Sequence, residues 1–279
     1  MKYGLHTLMW TESFTRDDLY LFEKLKGLGA DGIEIDLGNP DSLPVKSLKK
    51  YKSDLDMGVT STTAIDKEHN PLSEDEQTRK KAANFLKRRI KIVSELGANT
   101  LGGVLYAPWG EFTGEMRTKD EWEYAKETLN RVLPFAEKRG VDLALEPINR
   151  YETYFMNTVE TGKRLIDELE RTNVGLLLDT YHMHIEEKNQ YDAIKLAGED
   201  LLHLHLCEND RGIPGTGQLD WEGVFKAIKE IGYDEWIVIE SFVPAIEEIA
   251  TNTAIWRDVA PDAETLGSEG LNFIKQGLN

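Results

Sequence analysis

Only one cysteine, Cys207, occurs in the 279 residues. No internal disulfide can form, and the lone thiol reads as a buried, inert residue of a reducing cytoplasm. Apolar runs are short as well. None approaches the ~20 residues that a bilayer-spanning helix needs. The stretch from Met1 to His6 lacks the long hydrophobic region and small-residue cleavage site of a secretion signal. A cytoplasmic location without a membrane partner is therefore expected. Positive charge is scarce, since 33 Lys and Arg stand against 50 Asp and Glu, a formal net charge of −17. Such a surface repels phosphate backbones, so no nucleic-acid partner is expected. The one basic run, Lys80-Lys81 through Lys87-Arg88-Arg89, is diluted by apolar residues at helical spacing and reads as a solvated helix face. A GxGxxG dinucleotide fingerprint after the first apolar segment is also missing.

What is present is alternation. Hydrophobic residues make up 40% and charged residues 30%, the balance of a folded globular chain rather than a disordered one. Short apolar runs rich in β-formers recur at 3–9, 31–37, 59–65, 99–106, 141–147, 174–181, 201–207 and 235–241, each followed by an amphipathic stretch. Runs such as Gly175-Leu-Leu-Leu178 and Trp236-Ile-Val-Ile239 are apolar throughout, as expected of strands covered by helices on a parallel sheet. Helix starts are legible too. Thr15-Arg-Asp-Asp18 and Asn157-Thr-Val-Glu160 open helices, Ser73-Glu-Asp-Glu76 reads as a capping box, and Asp220 as an N-cap. Pro134 predicts a kink or break inside a helix over 119–139. Eight βα units predict an α/β fold, a single closed (β/α)8 TIM barrel spanning 1–279 as one catalytic domain. An open doubly wound sheet is the alternative.

In a barrel of this kind, chemistry gathers where the strands end. Those positions hold Glu146, Asp179, His205 and Glu240, one βα unit apart. Alternation along each strand lets all of them point inward. Three carboxylates crowded together cannot all stay ionised without a cation. The set therefore predicts one divalent metal, with Mn²⁺, Mg²⁺ or Co²⁺ favoured over a thiolate-type zinc site. His203, two residues deeper, reads as a core histidine. Polar residues follow each candidate ligand: Asn149 to Glu152, Tyr181-His182, and Glu208 to Arg211. The stretch Gly212-Ile-Pro-Gly-Thr-Gly217 has two readings, a phosphate cradle or a tight loop holding Arg211 over the site, and the second is preferred. Trp10, Trp109 and Phe242 fall at strand ends, where aromatics can wall a sugar. The long segment 244–262, with Trp256-Arg257-Asp258, reads as a lid or an oligomer contact.

Four ordered runs carry a specific likeness: Leu145-Glu-Pro-Ile-Asn-Arg-Tyr-Glu152, Leu178-Asp-Thr-Tyr-His-Met-His-Ile-Glu-Glu187, His203-Leu-His-Leu-Cys-Glu-Asn-Asp-Arg211 and Ile239-Glu-Ser-Phe242. With Lys2 to Trp10 and Ile255 to Asp258, the whole chain resembles the ketose 3-epimerases (D-tagatose, D-allulose or D-psicose, and L-ribulose 3-epimerases) of the xylose isomerase-like TIM barrels. The resemblance implies inversion at C3 of a free ketose through an enediolate. It implies one Mn²⁺ or Co²⁺ on Glu146, Asp179, His205 and Glu240, with Glu146 and Glu240 also the acid–base pair. It assigns Glu152, His182 and Arg211 to the hydroxyls around C1 to C3, and Trp109 and Phe242 to a hydrophobic wall. It also implies a homodimer or homotetramer. His6 stands where the family often has an aromatic, placing polarity near the substrate, and His184 where it commonly has Asn. Cys207 and Asn209-Asp210 also depart from the pattern. Other readings of such a barrel are an aldose isomerase, a hydroxypyruvate isomerase-like or inosose dehydratase-like enzyme, an endonuclease IV-like phosphodiesterase, and a sugar-binding barrel. Six histidines and the negative charge weigh against the phosphodiesterase, and paired glutamates against mere binding.

Overall fold

In the computed structural model, which describes residues 1–279, parallel strands close into a barrel in chain order. They are β1 (Lys2–His6), β2 (Gly32–Asp36), β3 (Gly58–Thr62), β4 (Thr100–Gly103), β5 (Asp142–Leu145), β6 (Val174–Asp179), β7 (Leu201–His205) and β8 (Trp236–Ile239). Pairing of β1 with both β2 and β8 closes the ring and excludes the open sheet. Outside lie α1 (Leu21–Gly27), α2 (Val45–Asp54), α3 (Glu76–Leu96), α4 (Lys119–Glu137), α5 (Val159–Leu169), α6 (Thr180–Glu186), α7 (Gln190–Ala197), α8 (Trp221–Glu230), α9 (Glu247–Asn252) and α10 (Ala263–Leu278).

Every expected strand is present, and every one ends earlier than the apolar pattern suggested. The rim residues have other backbone work. His6 caps a 3-10 turn, Gly103 turns the chain at φ 112°, and Asp179 caps α6 by accepting the Tyr181 N–H at 2.7 Å. Helix α6 thus starts where a strand was expected to continue.

Asp75, not Ser73, caps α3, accepting from Gln77 N and Thr78 N. Its carboxylate offers two acceptors and a favourable charge against the helix dipole, and Ser73 instead accepts from Asp75 N. Thr158 caps α5, while Asn157 donates to the Ile148 and Thr153 carbonyls. Asp220 caps α8 as expected. Helix α4 runs unbroken through Pro134, which sits near its C-terminal end and removes only one N–H from the ladder. The basic face of α3 is not wholly solvated. Arg89 is buried, stacks on Phe85 and donates to Thr63 Oγ1, Phe85 O and Gly38 O.

At the floor of the barrel the Trp236 ring lies over glycines of β2 and β3. A Cβ added at Gly58 would stand 2.2 Å from its Cζ2, and one at Gly32 2.5 Å from its Cη2. Small residues there let a single indole pack against the strand backbones at the lower opening.

Candidate active site

The upper rim gathers the four expected ligands. One donor atom from each of Glu146, Asp179, His205 and Glu240 falls within 4.8 Å of the others. Asp179 and His205 are the last residues of β6 and β7, paired in register, whereas Glu146 and Glu240 are the first residues beyond β5 and β8. His205 Nδ1 lies 3.5 Å from Glu240 Oε2, 3.8 Å from Asp179 Oδ2 and 4.0 Å from Glu146 Oε1. Glu146 Oε1 and His205 Nδ1 are buried and lack a hydrogen-bond partner. Buried polar atoms are rarely left so, and here both point at one spot ringed by oxygen donors. The donor set fits a hard or borderline divalent cation.

A residue that the sequence reading passed over explains how His205 is aimed. Glu34, on β2 and fully buried, places Oε1 2.6 Å from His205 Nε2 and Oε2 2.8 Å from His203 Nε2. With its Nε2–H engaged, His205 turns Nδ1 toward the carboxylates, the arrangement typical of a metal-binding imidazole backed by a carboxylate. The same period-two alternation that pairs His203 with His205 places Glu34 and Asp36 on the inner face of β2, so the signal was present in Gly32-Ile-Glu-Ile-Asp36. His203 is a buried histidine, as expected; its Nε2 lies close to Glu34 Oε2, but neither ring nitrogen makes a hydrogen bond.

The field within this cluster is uneven. Burial pushes the Glu146 carboxyl well above its usual range, and the neighbouring Glu240 and Asp179 add to that. Burial acts on Glu240 too, but His205, Arg211 and His6 outweigh it and hold that carboxyl low. Burial would lower His205, yet Glu240 and Glu34 raise it above the ordinary histidine value. A proton on His205 and a cation at the same centre are thus alternatives.

Around the cluster lies a cavity of about 260 Å³, lined by Glu146, Glu240, Glu152, His182, Arg211, Trp109 and Phe242 among others. His182 Nδ1 accepts from Asn149 N and Nδ2, which leaves Nε2 to face Glu146 Oε1 at 3.8 Å. Burial holds its pKa below the ordinary value. Asn149 also donates to Glu152 Oε1, and Trp109 Nε1 donates to Glu152 Oε2 at 2.8 Å. Arg211, at φ 65°, reaches Asp179 Oδ2 at 2.6 Å and Glu240 Oε2 at 3.3 Å, with Tyr181 and Phe242 rings beside its guanidinium. The N–H groups of Gly215, Gln218 and Leu219 converge on the carboxylate of Glu208, so the glycine loop is occupied in holding its own shape and is no phosphate cradle.

Some sequence candidates lie elsewhere. His6 is fully buried behind the cavity, bonded to Thr62 Oγ1 at 2.9 Å with Glu240 Oε1 3.7 Å away, so it supports Glu240 instead of lining the space a ligand would enter. Trp10 turns outward to Glu264, and His184 is exposed on α6. Cys207 is buried, and burial raises its thiol pKa. The 244–262 segment closes one side of the cavity through Ile249, Asn252 and Thr253. There Phe242, Ala250 and Ile255 form a small apolar cluster separate from the main core. Asp36, at the end of β2, also lines the cavity; burial raises its pKa to about 6.

Comparison with known proteins agrees with this geometry. Residues 22–276 match the family described as "Xylose isomerase-like TIM barrel". The chain is 34% identical to a probable ketose 3-epimerase of Synechocystis sp., over 99% of this chain and 96% of that protein. It is 33% identical to a ketose 3-epimerase of Arthrobacter globiformis, over 100% and 97%. A crystal structure of a D-allulose 3-epimerase from Methylomonas sp. in complex with D-allulose superimposes with a TM-score of 0.94 at 30% identity, covering 99% of this chain and 96% of that one. The chain belongs to the ketose 3-epimerases of the xylose isomerase-like TIM barrel family and is an isomerase.

Proposed function

We propose that this ketose 3-epimerase family member inverts C3 of a free ketose, of the D-allulose/D-fructose, D-tagatose/D-sorbose or L-ribulose/L-xylulose type, with Glu146 and Glu240 as its two proton carriers. The observation that carries the reading is the pair of glutamates from β5 and β8, brought together beside His205 and Asp179 at one wall of a sugar-sized cavity. Residues 1–279 act as one catalytic domain in the cytoplasm, as a homodimer or homotetramer.

The hydrogen on C3 is only weakly acidic, and it can leave as a proton only because its electron pair can move into the neighbouring C2 carbonyl. One Mn²⁺ or Co²⁺ per chain (or Mg²⁺), held by Glu146, Asp179, His205 and Glu240, would polarise that carbonyl and stabilise the enediolate charge. One glutamate takes the C3 proton, and the other gives a proton to the opposite face. Without the cation, burial favours a protonated Glu146 while His205 and Arg211 hold Glu240 as a carboxylate; a bound cation would favour the carboxylate form of both. In the reverse direction the roles exchange. His182, through Nε2–H, and Arg211 donate to the oxygens of C1 and C2, and Glu152 accepts from a hydroxyl, fixed by Asn149 and Trp109. Trp109 and Phe242 wall the ring of reacting atoms and exclude water.

The test is incubation of metal-loaded protein with D-fructose, D-tagatose and L-ribulose in deuterium oxide. The expected products are C3 epimers carrying deuterium at C3. Aldoses without C3 epimers, or no exchange at C3, would overturn the proposal.

A further inference from the structure

The residues assigned above to the C1–C3 end of a ketose all follow β5, β6 or β7: Glu152, His182 and Arg211. In a ring of eight strands, β1 to β3 lie across from them. A ketose gripped on one side must extend its remaining carbons toward the other. What waits there is a carboxylate. Asp36 ends β2 and lines the cavity, as do Glu12, Thr62, Asn252 at the end of α9 and Thr253 just beyond it.

The state of Asp36 is unusual for a half-buried acid. Oδ2 accepts the Gly38 N–H at 2.7 Å, which orients the group, and that is its only hydrogen bond within the protein. Arg89, packed behind it, directs its N–H groups to Thr63, Phe85 and the Gly38 carbonyl instead of to Asp36. The carboxylate is therefore held in place by one oxygen and left with acceptor capacity on the other, facing the cavity. Among the residues lining the cavity, Arg211 is the one Lys or Arg, and it belongs to the opposite wall. A phosphate carried on the far carbon would meet Asp36 and Glu12 with no cation to pair it.

We propose that Asp36 is a specificity-determining residue that accepts a hydrogen bond from the C5 or C6 hydroxyl of a ketohexose and selects a neutral polyol tail against a phosphorylated one; this rests on the epimerase reading above.

The experiment compares wild type, Asp36→Asn and Asp36→Ala on D-tagatose or D-fructose, on fructose 6-phosphate, and on L-erythrulose, which ends at C4. Epimerisation at C3 of erythrulose is racemisation, followed by optical rotation. The expected result is a rise in KM for the ketohexose with little change in kcat. The ratio of kcat/KM for ketohexose over erythrulose falls about 10- to 100-fold, as expected for loss of a hydrogen bond to a charged acceptor. Wild type prefers the free sugar to its 6-phosphate, and both variants narrow that preference. A ratio unchanged in both folded variants, or a wild type that prefers the phosphate, overturns the assignment. Wild type without C3 exchange on any of these sugars overturns the epimerase reading and the Asp36 assignment together; exchange with an unaltered ratio overturns Asp36 alone.

Discussion

The two ends of the barrel are built from the same strands and do opposite work. At the floor, glycines of β2 and β3 make room for the Trp236 indole, which packs on their backbone. At the rim, the same ring of strands gathers carboxylates and imidazoles, with Glu146 Oε1 and His205 Nδ1 buried and unpaired. The floor is built on close contact of one ring with glycine backbone, while the rim accumulates like charge around a centre. Stability and chemistry are thus divided along each strand, and substitutions at the two ends should separate them.

The largest separation is expected from Glu146→Gln and Glu240→Gln. Each should slow C3 proton exchange by about 10²–10⁴-fold, the usual contribution of a positioned acid or base. The unfolding midpoint should stay level or rise for Glu146→Gln, where a crowded carboxyl is removed, and fall for Glu240→Gln, whose carboxylate pairs with His205 and Arg211. A variant that exchanges at the wild-type rate would erase the contrast at the rim.

Glu34→Gln acts between the two ends. The amide can still accept from His205 Nε2 but no longer carries charge behind it. Affinity for Mn²⁺, titrated calorimetrically, should weaken about 10- to 100-fold. Wild-type affinity would mean that Glu34 does not tune the imidazole.

At the floor, Gly58→Ala would place a methyl 2.2 Å from Trp236 Cζ2. Overpacking of this kind costs about 1–3 kcal/mol. The urea midpoint should fall while exchange per folded molecule is unchanged. A loss of exchange in the folded variant would show that floor and rim are coupled.

The smallest effect concerns Asp36, whose pKa is raised from 3.8 to about 6. The folded state then binds more protons than the unfolded state between those values, so this group's contribution to stability falls as pH rises through that window. Asp36→Asn removes the slope. The melting-temperature difference, wild type minus variant, should decline from pH 4 to about pH 6. A flat difference would mean the carboxyl titrates as if exposed.

Much of this was legible in the sequence because it is periodic. Apolar runs at βα intervals specified the barrel, and strand ends at those intervals marked Glu146, Asp179, His205 and Glu240. The strand ends themselves were read too long, since His6, Gly103 and Asp179 turn or cap the chain while its apolar pattern continues. Ser73 and Asp75 both suit an N-cap, and local pattern could not choose between them. Glu34 and Asp36 were hidden in an apolar segment, since their value depends on which residues of distant strands they face. His6 shows the converse, a residue near the site in sequence terms that the packing sets behind Glu240.

By itself, then, the amino-acid order determined the period of the chain and the residue types at the strand ends, because helix and strand geometry are local consequences of side-chain spacing. Only the closed tertiary structure decided that Glu34 aims His205, that Asp36 stands across the ring from Glu152, His182 and Arg211, and that the Trp236 indole packs over Gly32 and Gly58. Those relations join strands far apart in sequence, and their distances exist only once the ring has closed.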